Sequence, residues 1–352
     1  MAAMALPPVD IPSDVADYGL TVRPFYSHLC ALPSKLFAAG LNYDSLKDVY
    51  LSTNPLMTAA ALALSTAPVF LIVSELNRNY SQVDRCWSFL PLLFNAHYAL
   101  WAYANGLPMT TLNAILGLTA VWTVRLGYNY WRKGGFKKGA EDYRWAVVQK
   151  RLNNRFLFFL LNLTFISTIQ PLLLFLITTP TYVMTLYSSL PDPRFEIFDF
   201  TCAQAIVLVL AIETIADNEQ WTYQTAKHEY QKTGRVPAKY KGVFSAEDLK
   251  RGFNIHGLFS WCRHPNFAAE QAIWIIFHQW TLLKSHVIFN WSGIGALCYV
   301  ALFQASTTLT EKITASKYPE YAEYQNVIGK FIPKFTINSS EDDTAENMRK
   351  EQ

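Results

Sequence analysis

Charge is scarce in this chain: Asp, Glu, Lys and Arg make up 16% of the 352 residues, against 51% hydrophobic. A soluble domain usually carries about a quarter charged residues, so an ordinary cytosolic enzyme fits poorly. Cysteine is scarcer still. The five thiols, Cys30, Cys86, Cys202, Cys262 and Cys298, show no C-x-x-C spacing, which argues against a disulfide framework or zinc site and leaves them as packing residues. No G-x-G-x-x-G follows a strand, and G-x-x-x-x-G-K-[ST], H-E-x-x-H and G-x-S-x-G are missing. A Rossmann domain, a P-loop ATPase and a zincin are therefore disfavoured. The seven histidines lack the close spacing of a membrane di-iron site, so no metal is expected. A net charge of +3 gives no sign of a nucleic-acid partner. No internal repeat of the transporter kind is present.

What is present is a series of apolar runs. Seven stretches, near 56–76, 88–104, 111–131, 156–179, 199–217, 267–283 and 287–306, are long enough to cross a bilayer, and only helices satisfy their own backbone there. The basic residues alternate around them. Connections near 77–86, 132–155 and 218–266, and the tail after 309, hold two, eight, eight and six Lys and Arg, whereas 105–110, 180–198 and 284–286 hold none, one and one. The positive-inside rule places the first set in the cytoplasm. The expected fold is an all-α polytopic membrane helical bundle of about seven transmembrane helices, N-terminus lumenal or outside and C-terminus cytosolic. Three regions are expected: a lead-in over 1–54 with an interfacial helix in PFYSHLCALPSKLFAAGL, a membrane domain over 55–335, and a disordered polar tail over 336–352. Residues 1–14 lack the basic and apolar regions of a cleaved leader.

Ionisable groups at membrane depth are costly, so each is a functional candidate. In the third run Trp122, Arg125, Asn129 and Arg132 fall on one helical face. In the fifth, Glu213, Asp217, Gln220, Gln224 and Lys227 form a stripe that continues past the membrane. Interhelical hydrogen bonding with snorkelling ends is the plainer reading of both. SWCRHPNFAAE, residues 260–270, opens the sixth run. Pro265 suits a first helical turn, and Asn266 and Glu270 lie one turn apart where the helix dipole favours a carboxylate. Two readings remain open there: a binding corner, or a cap in which Glu270 pairs with Arg263. The basic loop GGFKKGAEDYRW admits two partners as well, a phosphate-bearing ligand or lipid headgroups.

SQVDRCWS at 81–88, VWTVRLGYNYWRK with AEDYRW at 121–145, ETIADNEQWTYQ at 213–224, GLFSWCRHPNFAAEQ at 257–271 and TEKITASKYPEYAEYQNVIGKFIP at 310–333 resemble the steroid 5α-reductase superfamily, over about residues 56–335. The resemblance is to its branch of multi-span membrane proteins. It implies a seven-helix fold that binds NADPH from the cytosolic side and reduces a carbon–carbon double bond conjugated to a carbonyl in a lipid such as a steroid, sterol or enoyl-lipid. By match to the family's motifs, the cofactor residues are Arg125, Asp142, Arg144, Asp217, Gln220, Arg251, Arg263, Asn266 and Glu270. The enolate formed on hydride addition needs a proton donor. The resemblance gives Tyr98 this role and Glu75 a second, with His97 and Asp84 as substitutes; a packing tyrosine is the plainer reading of Tyr98.

Arg263, His264, Pro265, Asn266, Phe267 and Glu270, followed by the E-x-x-x-x-x-K-Y-x-x-Y tail, also resemble membrane methyltransferases that use S-adenosylmethionine. A non-catalytic lipid-binding membrane protein is the third class. Arg349 and Lys350, just before the last two residues, resemble a dibasic retrieval signal and point to the endoplasmic reticulum membrane.

Overall fold

The computed structural model describes residues 5–334, and every named regular element among them is helical. Six of the seven apolar runs lie almost wholly on helix, and the seventh, 287–306, becomes helical at Gly293 after a coil and turn over 286–292. Four helical stretches are long and apolar enough to cross a membrane by length and composition: Pro55–Asn77, Arg155–Tyr187, Ile197–Thr233 and Gly293–Lys317. The other three runs fall on Phe89–Ala104, Thr110–Arg132 and Pro265–Ser285. The proposed disordered tail and its Arg349–Lys350 pair lie outside the described residues. All five cysteines are free.

The described residues form two compact units, one from 5–206 with 274–299, the other from 207–273 with 300–334. In the first, Phe89–Ala104 packs along Thr110–Arg132, and Pro55–Asn77 packs along Asn162–Ile169 and Gln170–Leu176. Asn162–Ile169 is π-helical. Pro171 follows it, and its missing N–H removes one rung of the helical ladder. The wide turn is held by side chains: Asn162 Nδ2 donates to Ser74 Oγ and Glu75 Oε1, both at 2.9 Å, and Ser167 Oγ to Asn162 Oδ1 at 3.0 Å.

Residues 5–54 belong to this same unit. Asn54 caps the Pro55–Asn77 helix through Oδ1, which accepts from Leu56 N and Met57 N. Its Nδ2 donates to the Ala5 carbonyl at 3.0 Å and to Tyr182 Oη at 2.9 Å, and Tyr182 in turn donates to the Thr21 carbonyl at 2.8 Å. One buried asparagine thus ties the lead-in to the Thr179–Tyr187 helix. The helix Tyr26–Ala39 sits where an interfacial helix was expected.

A second polar lock lies in the same unit. Lys284 is almost fully buried, and its ammonium donates to the Arg194 carbonyl at 2.7 Å, Asp199 Oδ2 at 2.9 Å and Glu196 Oε2 at 3.0 Å. Asp199 also accepts from Trp280 Nε1 at 2.7 Å. Every ammonium proton has a partner, the condition for burying a lysine at tolerable cost.

The second unit is built on the later turns of the Ile197–Thr233 helix. Two glycines allow close approaches there. Gly252 (φ +87°) ends the Ala246–Arg251 helix against the Tyr318 ring, and its carbonyl accepts from Lys227 Nζ at 3.0 Å. Gly257 (φ +62°) lies against the Glu219 carboxylate, which accepts from Leu258 N at 2.9 Å. A Cβ at either position would collide with those groups, and both backbones sit in the left-handed region that favours glycine.

Candidate functional site

The opening of the Pro265–Ser285 helix carries the densest polar chemistry of the second unit. Backbone pairing fixes the entering strand of chain: Arg263 N donates to the Gly329 carbonyl at 2.8 Å and His264 N to the Lys330 carbonyl at 3.1 Å. Side chains then close the turn around one carboxylate. Glu311 Oε1 accepts from Arg263 Nε at 2.7 Å, from His264 Nε2 at 2.9 Å and from Tyr321 Oη at 3.2 Å; Oε2 accepts from Gln325 Nε2 at 3.0 Å and Arg263 Nη2 at 3.2 Å. Arg263 Nη1 donates to the Gln325 and Ile328 carbonyls. Burial lowers the pKa of His264, an effect that its bond to Glu311 only partly offsets.

Of the two readings left open by the sequence, the cap with Glu270 against Arg263 is not the arrangement found: Glu311 pairs with Arg263, because the segment 321–330 folds back over it. Each guanidinium nitrogen of Arg263 is engaged internally, so this residue shapes the turn. The turn presents Asn266, whose Nδ2 donates to Asp217 Oδ1 at 3.0 Å. Glu270 follows one turn later and is buried, as is Asp217. Gln220 lies three residues beyond Asp217 on the same helix, and its Oε1 is buried without a hydrogen-bond donor. Asp217 and Asn266 are thus joined, with Gln220 and Glu270 each about one helical turn along from that pair and the Gln220 oxygen unsatisfied. Arg251 is bonded through Nη1 to Asp248 Oδ1 at 2.8 Å, and its Nε lies 3.8 Å from a Glu320 carboxylate oxygen. Asp248 caps its own helix with Ser245, and its carbonyl accepts from Tyr223 Oη at 2.7 Å.

The remaining sequence candidates belong to the first unit. Trp122 and Asn129 are buried and Arg125 and Arg132 half-buried, so the four do share an inward face. Trp122 meets Trp274 edge to face, with ring centroids 5.1 Å apart. Asp142 caps the Tyr143–Leu152 helix and holds Arg144: Oδ1 accepts from Arg144 N at 2.8 Å and Nε at 2.9 Å, Oδ2 from Nη2 at 2.9 Å. Burial opposes ionisation of Asp142, but the Arg144 bonds outweigh it and hold the carboxyl below its ordinary value. Tyr98 is fully buried and its hydroxyl makes no well-formed hydrogen bond, with Thr178 nearby. Glu75 is engaged at both oxygens, by Asn162 at 2.9 Å and by Arg78 at 2.7 Å. His97 is held at both ring nitrogens by Tyr50 Oη and the Pro55 carbonyl, and Asp84 accepts from Trp145 Nε1 at 3.2 Å. Of these four, Tyr98 alone has a buried polar atom that makes no well-formed hydrogen bond.

The Glu311 hub was not singled out from the sequence. Its signal is there in retrospect: Glu311, Tyr321 and Gln325 all lie in the 310–333 motif, but their spacing along the chain gives no hint that they surround Arg263. The matching family model, described as "Protein of unknown function (DUF1295)", covers residues 70–328. The chain belongs to the DUF1295 family. A Schizosaccharomyces pombe relative, "Uncharacterized protein C594.04c", is 36% identical over 332 residues, covering 94% of each chain. No solved structure matches the chain. The DUF1295 match encloses Glu75, Tyr98, all nine cofactor candidates and the Glu311 hub, so the site lies within the family's own span.

Proposed function

We propose that this chain is a membrane-embedded NADPH-dependent reductase acting on a carbon–carbon double bond conjugated to a carbonyl in a lipid. The observation that carries the reading is the Asp217–Asn266 pair with buried Glu270 and the unsatisfied Gln220 oxygen, at the mouth of one helix. A nicotinamide nucleotide presents amide and hydroxyl donors, which such acceptors hold well; a buried orphan acceptor costs about 1–3 kcal/mol unless a ligand supplies the donor. The resemblance to the steroid 5α-reductase superfamily supports the same cofactor. NADPH, when bound, supplies the hydride.

The chain's own residues have separable tasks. Asp217, Gln220, Asn266 and Glu270 grip polar groups of the cofactor, while Arg251 offers a cation for phosphate. Arg263 acts through the turn that presents Asn266. Arg125, Asp142 and Arg144 enter by their motif match, the last two as a mutually bonded pair. Tyr98 holds a proton at Oη, where a buried phenol donates to an enolate oxygen. Glu75 would have to leave Asn162 or Arg78 to take part. The reading includes seven spans, an outer N-terminus, a cytosolic C-terminus and residence in the endoplasmic reticulum membrane, for which the alternation of basic loops is the support.

Detergent-purified protein titrated with NADPH and, separately, S-adenosylmethionine tests this. NADPH is expected to bind, and Asn266→Ala and Glu270→Gln are each expected to weaken it by about tenfold or more. Preference for S-adenosylmethionine would make the chain a methyltransferase. Binding of neither would leave a non-catalytic membrane protein.

A further inference from the structure

The loop and helix over 133–155 present cations to the surroundings, while each of their two carboxylates is held by a neighbouring donor. Glu141 Oε1 accepts from Tyr80 N at 2.6 Å, and Asp142 is occupied by Arg144. The segment is also fixed in place. Arg85 Nη2 and Asn79 Nδ2 both donate to the Ala140 carbonyl, at 2.6 and 2.9 Å, and Asp142 N donates to Ser81 Oγ at 2.9 Å. On the Tyr143–Leu152 helix, Trp145 is buried in a cluster with Tyr80, Val83, Phe158 and Ile166, against which Val148 and Leu152 pack. That leaves Lys137, Lys138, Lys150, Arg151 and Arg155 exposed on a pinned scaffold.

We infer that this surface binds the anionic headgroups of membrane phospholipid. Three observations point to a bilayer rather than to solvent. Arg155 is the first residue of a helical stretch long and apolar enough to cross a membrane, so its charge and that of Arg151 lie at headgroup depth. Lys137 and Lys138 follow the Thr110–Arg132 helix within six residues of chain, a tether of at most about 20 Å. Exposed aromatics flank the cations, Trp131 at 63%, Tyr143 at 52% and Phe156 at 66%, the residue types that settle at the membrane–water boundary. Charge complementarity names the lipid: each Lys or Arg near an anionic surface strengthens association by about fivefold, and the exposed Lys137, Lys138, Lys150, Arg151 and Arg155 outnumber the exposed carboxylate of Glu141. The inference stands on the first unit alone and does not depend on the cofactor reading.

The full-length protein is reconstituted in nanodiscs of phosphatidylserine and phosphatidylcholine in equal amounts, transferred to mild detergent, and the retained lipid quantified. The expected result is phosphatidylserine retained about fivefold or more over phosphatidylcholine. K137Q/K138Q/K150Q/R151Q should bring that ratio close to one, whereas K137R/K138R/K150R/R151K should keep it. Thermal unfolding of both variants is expected to match the parent, since these side chains are exposed; should the neutral form fail to fold, K150Q/R151Q alone must still lower the ratio. Equal retention of the two lipids by the parent, or undiminished preference in the neutral variant, overturns the inference. So does release of the phosphatidylserine by millimolar inorganic phosphate or by NADPH, which would assign the surface to a soluble phosphate.

Discussion

Two polar groups a few residues apart, at the start of one helix, use their chemistry in opposite ways. Around Arg263 the guanidinium nitrogens meet Glu311 or a carbonyl, and Glu311 is filled by His264, Tyr321 and Gln325 as well. Around Asn266 a single asparagine reaches Asp217, Glu270 is buried nearby in sequence, and the Gln220 oxygen lacks a donor. A saturated network holds a backbone in one conformation; an unsaturated one keeps capacity for a partner from outside. Under the proposed function, the motif RHPNFAAE contains both a hinge pin and a grip, and substitutions should separate them.

The largest effect is expected from Glu311→Ala. Removing the carboxylate leaves Arg263 buried without its counterion, a change that typically costs about 3–5 kcal/mol. Thermal unfolding in detergent should show a large fall in Tm, and cofactor affinity should be lost with the fold. A Tm close to the parent's would make the hub dispensable and dissolve the contrast. Tyr98→Phe should behave in the opposite manner. Its hydroxyl has no well-formed bond to lose, so stability is expected to stay the same or rise by up to about 1 kcal/mol. Turnover should fall while NADPH affinity is kept, and a fully active Tyr98→Phe protein would remove Tyr98 from the chemistry.

Asp142 should give the smallest effect. Its folded pKa lies below the ordinary value of 3.8, so its contribution is complete above that value and is lost as pH falls through the folded pKa. Asp142→Asn keeps a capping side chain but removes the partly exposed ion pair with Arg144, a loss of about 0.5–1 kcal/mol at pH 7. Tm measured against pH should then show a shallower acid limb in the variant than in the parent. Identical limbs would mean that the pair contributes nothing.

The helices were legible because a long apolar run in a bilayer satisfies its backbone as a helix, and every run is helical over most of its length, the seventh only from Gly293. Asn54, Asp142 and Ser245 cap their helices through side chains of the types that favour that position, a signal the sequence reading did not use. The Asn266–Glu270 spacing gave a site candidate for a similarly local reason. The partner of Arg263 was not legible. Sequence proximity favoured Glu270, but the carboxylate that reaches Arg263 is 48 residues away, at Glu311. Lys284 with Asp199, 85 residues apart, escaped notice likewise, since a lone lysine at a helix end reads as a snorkelling cation.

Sequence by itself determined that this chain folds as apolar helices joined by basic loops, because periodicity, hydrophobicity and capping act over a few residues. Tertiary structure decided which polar groups are consumed in holding those helices and which keep a free valence. That choice depends on side chains brought together from distant parts of the chain, where burying an ion is tolerable only if a particular partner arrives. No local pattern encodes the arrival, so the difference between Arg263 as a pin and Gln220 as a waiting acceptor exists only in the fold.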